Sequence, residues 1–331
     1  MKKNIAMIAG GYSSEFEVSL RSAENLCTFI DKEKYNVYNV ILTKDAWRVV
    51  TGDSRLREND VVEIGTIDKN DFSFRQGNET VRFDFAYITI HGTPGEDGLL
   101  QGYFDMLGIP YSTCGVLTSA LTFNKYVCNQ FLKGFGIRVS DSILVRKGQP
   151  VCPEKIVETL GIPVFVKPNS SGSSFGVSKV NKDSQIPAAV EKALFEGSEV
   201  VIERFIPGIE LTCGCYQSNR KITALPVTEV IPKNEFFDYG AKYNGEVQEI
   251  TPARIPAELT EKIQRETENI YDLIGAQGII RIDYIVPSDE TPVLLEINTT
   301  PGMTVTSFIP QQVQAAGLNM TDIMTAIIEN K

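Results

Sequence analysis

Along the chain, apolar residues recur with two different periods. Short β-branched runs alternate with stretches in which apolar positions return every three to four residues, the pattern of strands interleaved with amphipathic helices. Residues 5–11 read as a buried first strand ending on Gly10-Gly11. Ser14-x-x-Glu17 resembles a capping box opening a helix to about Ile30. Val37–Leu42 and Phe85–Ile90 are further strands, with helices expected between. This alternation predicts a doubly wound α/β domain over residues 1–92, with strand ends opening onto a ligand crevice. A second unit, 93–203, should hold a helix near Ser119–Phe135, a strand at Val164–Lys167, a Gly/Ser loop and a strand at Val200–Glu203. The third, 204–331, should be α+β. It has several strands, a polar aromatic segment at Phe236–Tyr243, a helix at Ala257–Leu273, a hairpin, and closing helices at Phe308–Ala316 and Met320–Glu329.

The hairpin carries the strongest chemical signal. Gly278–Val286 and Pro292–Gly302 are β-rich runs around the turn Pro287–Pro292. Side chains alternate faces along a strand, so Arg281 and Asp283 share one face, as do Glu296 and Asn298 on the partner strand. Two carboxylates, a carboxamide and a guanidinium aimed into one space suit Mg²⁺, which keeps waters and completes its shell with substrate phosphates. Either carboxylate alone could be an ordinary solvated strand residue. The quartet, followed by Asn298-Thr-Thr-Pro-Gly302, favours phosphoryl chemistry.

Composition narrows the class further. The 331 residues are 42% hydrophobic and 22% charged, with a net charge of −10, which is no footprint for nucleic acid or an anionic membrane. No apolar run approaches the roughly 20 residues that span a bilayer. Six scattered cysteines without a C-x-x-C pair, and a single histidine, point to reduced thiols in a cytoplasmic protein rather than a disulfide frame or zinc site.

Two loops extend the picture. Lys167-Pro-Asn-Ser-Ser-Gly172-Ser173-Ser174-Phe-Gly176 leaves a strand and offers backbone amides, hydroxyls and a lysine, an anion-binding combination without Walker A spacing. A flexible surface loop is the plainer alternative. His91-Gly-Thr-Pro-Gly95-Glu96-Asp97-Gly98 follows a strand's carboxyl end, where open α/β sheets bind ligands, though Glu96 and Asp97 could simply cap a helix.

These segments together resemble the ATP-grasp carboxylate–amine ligases, in particular the branch that joins two D-alanines. The resemblance runs end to end. It takes in Gly10-Gly-Tyr-Ser-Ser-Glu15-x-Glu-Val-Ser19, His91-Gly-x-x-Gly-Glu-Asp-Gly-x-x-Gln101, Lys167 to Gly176, Tyr239-x-Ala-Lys242-Tyr243, Arg281-x-Asp283 and Leu295-Glu-Ile-Asn298-Thr-x-Pro-Gly-Met303. It implies an ATP-dependent ligation through an acyl phosphate, releasing ADP and phosphate, for peptidoglycan precursors. By that resemblance Asp283, Glu296 and Asn298 hold two Mg²⁺ ions, replaceable by Mn²⁺. Lys125, Lys167, Ser173, Ser174 and Lys242 support the triphosphate, and Glu203 and Glu210 face adenine and ribose. Arg281 and the Gly302 N–H form an oxyanion hole, a donor arrangement typically worth about 10²–10³ in rate. Glu15 takes the first ammonium with His91 beside it, and Ser307 holds the second carboxylate. Ser173 and Tyr243 link a mobile loop to the site. Several of these residues have structural alternatives: Glu15 as a first-turn acid, Lys125 as a surface lysine, Tyr243 as packing, Ser307 as a helix cap. A homodimer through the first domain is also implied. Three rival functions remain: a D-lactate depsipeptide ligase, a ligase of the glutathione synthetase type, and a non-catalytic nucleotide sensor.

Overall fold

The structure, a computed structural model, describes residues 2–51, 61–170, 172, 176–232 and 247–330. The first sheet is built from β1 (Lys3–Gly10), β2 (Tyr35–Leu42), β3 (Trp47–Val50) and β4 (Glu63–Thr66). After a small hairpin of β5 (Phe74–Gln76) and β6 (Glu79–Val81) it takes up β7 (Phe85–Ile88). Its order is β4-β3-β2-β1-β7, with β2, β1 and β7 parallel and β3 and β4 antiparallel. Ile5 to Ala9 are all fully buried, as expected of a central parallel strand covered on both faces. The helices expected between β2 and β7 are absent among the described residues, where four short strands run instead. In β3 the exposed Arg48 stands between buried Trp47 and Val49, the period-two pattern of a strand. Helix α1 (Phe16–Cys27) follows β1, but not through the expected capping box. Glu15 is the N-cap and makes no side-chain cap bond; the Ser13 hydroxyl accepts the Glu15 N–H at 3.3 Å and donates to the His91 carbonyl at 2.8 Å. Helix α2 (Leu99–Leu107) packs on this sheet, and its apolar cluster includes Leu100, Phe104 and Tyr111, past the boundary expected at residue 92.

The single helix expected near Ser119–Phe135 is two, α3 (Val116–Phe123) and α4 (Lys125–Lys133). Asn124 breaks it with an extended backbone and caps the second helix by accepting the Val127 N–H at 3.0 Å. Asn169 then takes the Lys125 and Tyr126 amides at 3.0 and 2.9 Å. The second sheet is antiparallel, with β8 (Ser142–Arg146), β9 (Val164–Pro168), β10 (Ser178–Val180) and β11 (Glu199–Arg204) in the order β10-β9-β11-β8. Helices α5 (Pro153–Leu160) and α6 (Ile186–Ala193) share its core.

The third sheet comprises β12 (Ile209–Ser218), β13 (Lys221–Ala224), β14 (Thr228–Pro232), β15 (Val247–Ile250), β16 (Ile279–Val286) and β17 (Val293–Asn298). Its main order is β15-β14-β12-β16-β17, antiparallel throughout. Period two divides β16 between two environments. Ile280, Ile282 and Tyr284 join the core under α7 (Ala257–Leu273), while Arg281 and Asp283 turn to the opposite face. On that face α8 (Phe308–Ala315) lies close over Gly214, where a Cβ would come within 2.5 Å of Ile309 Cδ1. The last helix, α9 (Met320–Glu329), returns to the first sheet; Met320, Ile323, Met324, Ile327 and Ile328 share one cluster with Ile5, Met7, Leu20 and Leu26. All six cysteines are free thiols and five are buried. Among the described residues no helix is long and apolar enough to cross a membrane.

Candidate active site

The polar quartet of the hairpin is in register across the two strands: Arg281 pairs with Asn298 and Asp283 with Glu296. Asp283 is the hub. Its carboxylate accepts two bonds from Arg281, at 2.9 and 2.8 Å, one from Thr212 at 2.5 Å and one from the Asn298 amide at 3.2 Å. Burial works against a charge on Arg281, but the Asp283 carboxylate beside it outweighs that and holds the guanidinium firmly protonated. The guanidinium also lies 5.3 Å from the centre of the Phe308 ring.

The break at Asn124 places Lys125 at the start of α4, where its ammonium lies 3.5 Å from Glu296. Lys167, at the end of β9, pairs at 2.7 Å with Glu203 at the end of β11, and both side chains are largely buried. Asn129 adds a 3.4 Å bond to Glu203. Glu210 lies on the Arg281 face, one register step beyond the Thr212–Asp283 pair and opposite Ile285.

Three loops close over this face. The Glu15 carboxylate presses against Gly172, at a point where any Cβ would collide with it. His91 is buried and its ring is hydrogen-bonded to the Thr300 backbone; burial pushes its pKa down, and among the described residues Nε2 has no hydrogen-bond partner. Glu96, the N-terminal acid of the following turn, is buried and bridges two loops. It accepts the Gly92 N–H at 2.7 Å and the Thr300 N–H at 3.3 Å. Burial, reinforced by the nearby Glu15 charge, pushes its pKa up to about 8. Helix α1 anchors the same turn, with Ser22 accepting the Met303 N–H at 3.1 Å and Asn25 donating to its carbonyl at 2.7 Å. The Ser307 hydroxyl caps nothing in α8. It accepts the Thr304 N–H at 3.0 Å and sits 3.0 Å from where a Gly302 Cβ would be.

An open cleft is lined by Glu96, Lys125, Gly172, Glu296, Asn298 and Thr299. Ser173, Ser174, Lys242 and Tyr243 lie outside the described residues. Among the described residues no group of three or more His, Cys, Asp or Glu side chains forms a metal cage. The donor set here fits a different arrangement: two facing carboxylates and the Asn298 carboxamide are hard oxygen ligands of the kind Mg²⁺ takes when phosphates and water supply the rest. Sequence reasoning missed Thr212, whose hydroxyl orients Asp283, and placed Glu96 in a ligand-binding loop without its bridge to Thr300.

Comparison with known proteins gives a consistent result. The family model described as D-ala D-ala ligase N-terminus matches residues 4–114, and the C-terminus model matches residues 131–329. A D-alanine–D-alanine ligase of Parabacteroides distasonis is 60% identical, covering 100% of this chain and 98% of the relative. One from Phocaeicola vulgatus is 58% identical over the full length of both. Among solved structures, the VanG D-Ala:D-Ser ligase of Enterococcus faecalis superposes with a TM-score of 0.87 at 30% identity, covering 99% of each chain. The Bacillus anthracis D-alanine–D-alanine ligase complexed with ATP gives 0.75 at 28% identity, covering 99% of this chain and 96% of that one.

Proposed function

The chain belongs to the D-alanine–D-alanine ligase family, and from that membership we propose that it joins two D-alanines into D-alanyl-D-alanine, consuming ATP and releasing ADP and phosphate. Supporting the reading is one juxtaposition: Glu296 and Asn298 of the polar hairpin line one cleft with Lys125, Glu96 and Gly172, and the Glu15 carboxylate lies against Gly172.

Peptide bond formation from a free carboxylate is uphill in water, so the carboxylate must first become an acyl donor. In our reading Glu15 holds the first D-alanine's ammonium with His91 beside it, and Lys125, Lys167, Ser173, Ser174 and Lys242 hold the triphosphate over the cleft. Glu203 and Glu210 receive adenine and ribose. Two Mg²⁺ ions, or Mn²⁺, on Asp283, Glu296 and Asn298 would supply charge neutralisation for the β- and γ-phosphates. The first carboxylate takes the γ-phosphoryl group as ADP departs. The second D-alanine, held through its carboxylate by Ser307, loses its ammonium proton to solvent, attacks the acyl carbon with the freed amine lone pair, and passes a second N–H proton to the departing phosphate. The resulting oxyanion faces Arg281 and the Gly302 N–H, and phosphate leaves as the tetrahedral centre collapses. Ser173 and Tyr243 tie a loop across the site that excludes water from the acyl phosphate. The division at residues 92/93 and 203/204 belongs to the same proposal, with first-substrate, nucleotide and metal groups on successive units. So do a cytoplasmic location, a homodimer and a role in peptidoglycan precursor synthesis.

A coupled phosphate-release assay with D-alanine, L-alanine, D-serine and D-lactate tests this. ATP-dependent release should require D-alanine and yield the dipeptide; equal release with L-alanine would remove the D-alanine assignment.

A further inference from the structure

The register of the third sheet puts one more carboxylate on the functional face. Glu249 of β15 stands opposite Val230 of β14, Val230 opposite Glu210 of β12, and Glu210 opposite Ile285 of β16. Paired residues share a face, so Glu249 is on the side that carries Arg281, Asp283, Glu296 and Asn298. Its carboxylate accepts a 2.8 Å bond from Gln311 Nε2 in the first turns of α8. The same nitrogen donates at 2.8 Å to the Thr306 carbonyl, beside Ser307. Glu249 is therefore tied to the corner where α8 begins. Arg281 lies near enough to act on it electrostatically, but that guanidinium is already bound by both its ends to Asp283.

An amino acid arriving as nucleophile is a zwitterion, with its two charges separated by a single carbon. Ser307 and the positive N-terminal end of α8 suit its carboxylate. A carboxylate fixed beside that corner suits its ammonium. A hydroxy acid has the same carboxylate but no cation to offer.

We infer that Glu249 is a specificity-determining residue of the second-substrate subsite, selecting an ammonium-bearing nucleophile over a hydroxy acid of the same shape. This rests on the ligase reading above. Half-burial of Glu249 beside Gln311 makes the discrimination stronger than an exposed charge could give, because less water screens it.

The test compares wild type with Glu249→Gln, Glu249→Ala and Glu249→Asp at one fixed pH. It reads both D-alanine dependences, the ATP dependence, and the ratio of dipeptide to depsipeptide formed from mixed D-alanine and D-lactate. Glu249→Gln keeps the side chain's size and removes its charge. The second D-alanine KM should rise roughly tenfold or more, as for a lost charge-assisted contact. The first D-alanine and ATP KM values should stay within about twofold, and the depsipeptide share should rise. Glu249→Asp should restore part of the preference. A Glu249→Gln enzyme with unchanged second KM and product ratio, or one whose ATP KM moves in parallel, overturns the inference while wild-type turnover preserves the ligase reading. A wild type that releases no phosphate with D-alanine overturns both.

Discussion

At the scale of single residues, two carboxylates in the His91 neighbourhood have opposite tasks. Glu15 lies against Gly172, which lines the cleft, and in the proposed reaction it takes the ammonium of the first D-alanine. Glu15→Gln should raise the KM of the first D-alanine by about tenfold or more and leave that for ATP nearly unchanged. Initial-rate measurements in which the two KM values move together would refute this. Glu96 is buried between two backbone donors and holds its proton up to about 8 against an ordinary 4.5. With a raised native pKa, the folded chain binds more protons than the unfolded one between those values, so this residue's contribution to stability falls as pH rises through the window. Glu96→Gln lacks that term. The unfolding free energy of wild type minus that of Glu96→Gln should therefore decrease from pH 5 to pH 8, and a difference independent of pH in denaturant titrations would contradict the assignment.

At the scale of elements, the close approach of α8 to the third sheet depends on Gly214. A methyl group there would stand 2.5 Å from Ile309 Cδ1, 2.6 Å from Gln312 Oε1 and 2.9 Å from Leu225 Cδ1. Gly214→Ala should cost about 1–3 kcal/mol through overpacking. Because α8 carries the Ser307 corner, it should also weaken D-alanine dependence more than ATP dependence; unchanged stability and kinetics would show that the helix relaxes freely. Elements written in local periodicity were legible from the chain: the helix Ala257–Leu273 was expected with the bounds it has, and so was the two-faced hairpin that aims Arg281 and Asp283 together. What escaped was decided in part by distant partners. Asn124 is a local N-cap signal that the expected single helix overlooks, and the break is secured from a distance by Asn169, which takes the Lys125 and Tyr126 amides. The Ser14 capping box does not form, because α1 begins one residue later, with Glu15 as its N-cap. Thr212 and Glu249 come to this face by sheet register, which no spacing along the chain encodes.

At the scale of the whole molecule, the two ends of the chain complete one core. α9 supplies five apolar side chains to the cluster that holds β1 and α1. Ile327→Ala should cost about 2–5 kcal/mol, and the loss should appear in the first sheet as well as at the carboxyl end. Trp47, the only tryptophan, sits in β3 of that sheet and reports on it directly. Its fluorescence and the far-ultraviolet circular dichroism should therefore lose signal at the same denaturant concentration, in the variant as in wild type; separate midpoints would mean that the sheet folds without its last helix.

That arrangement also has a consequence for the order in which the protein is made. Ile5 and Met7 leave the ribosome about 320 residues ahead of Ile327 and Ile328. At roughly 5–20 residues per second the interval is about 15 to 65 s. Throughout it, the face of the first strand that α9 will cover has no mate, and a nascent chain stalled before residue 320 would keep it bare. Molecular chaperones that shield apolar surface would have their longest engagement here at the amino end, and release would be timed by the arrival of the carboxyl-terminal helix.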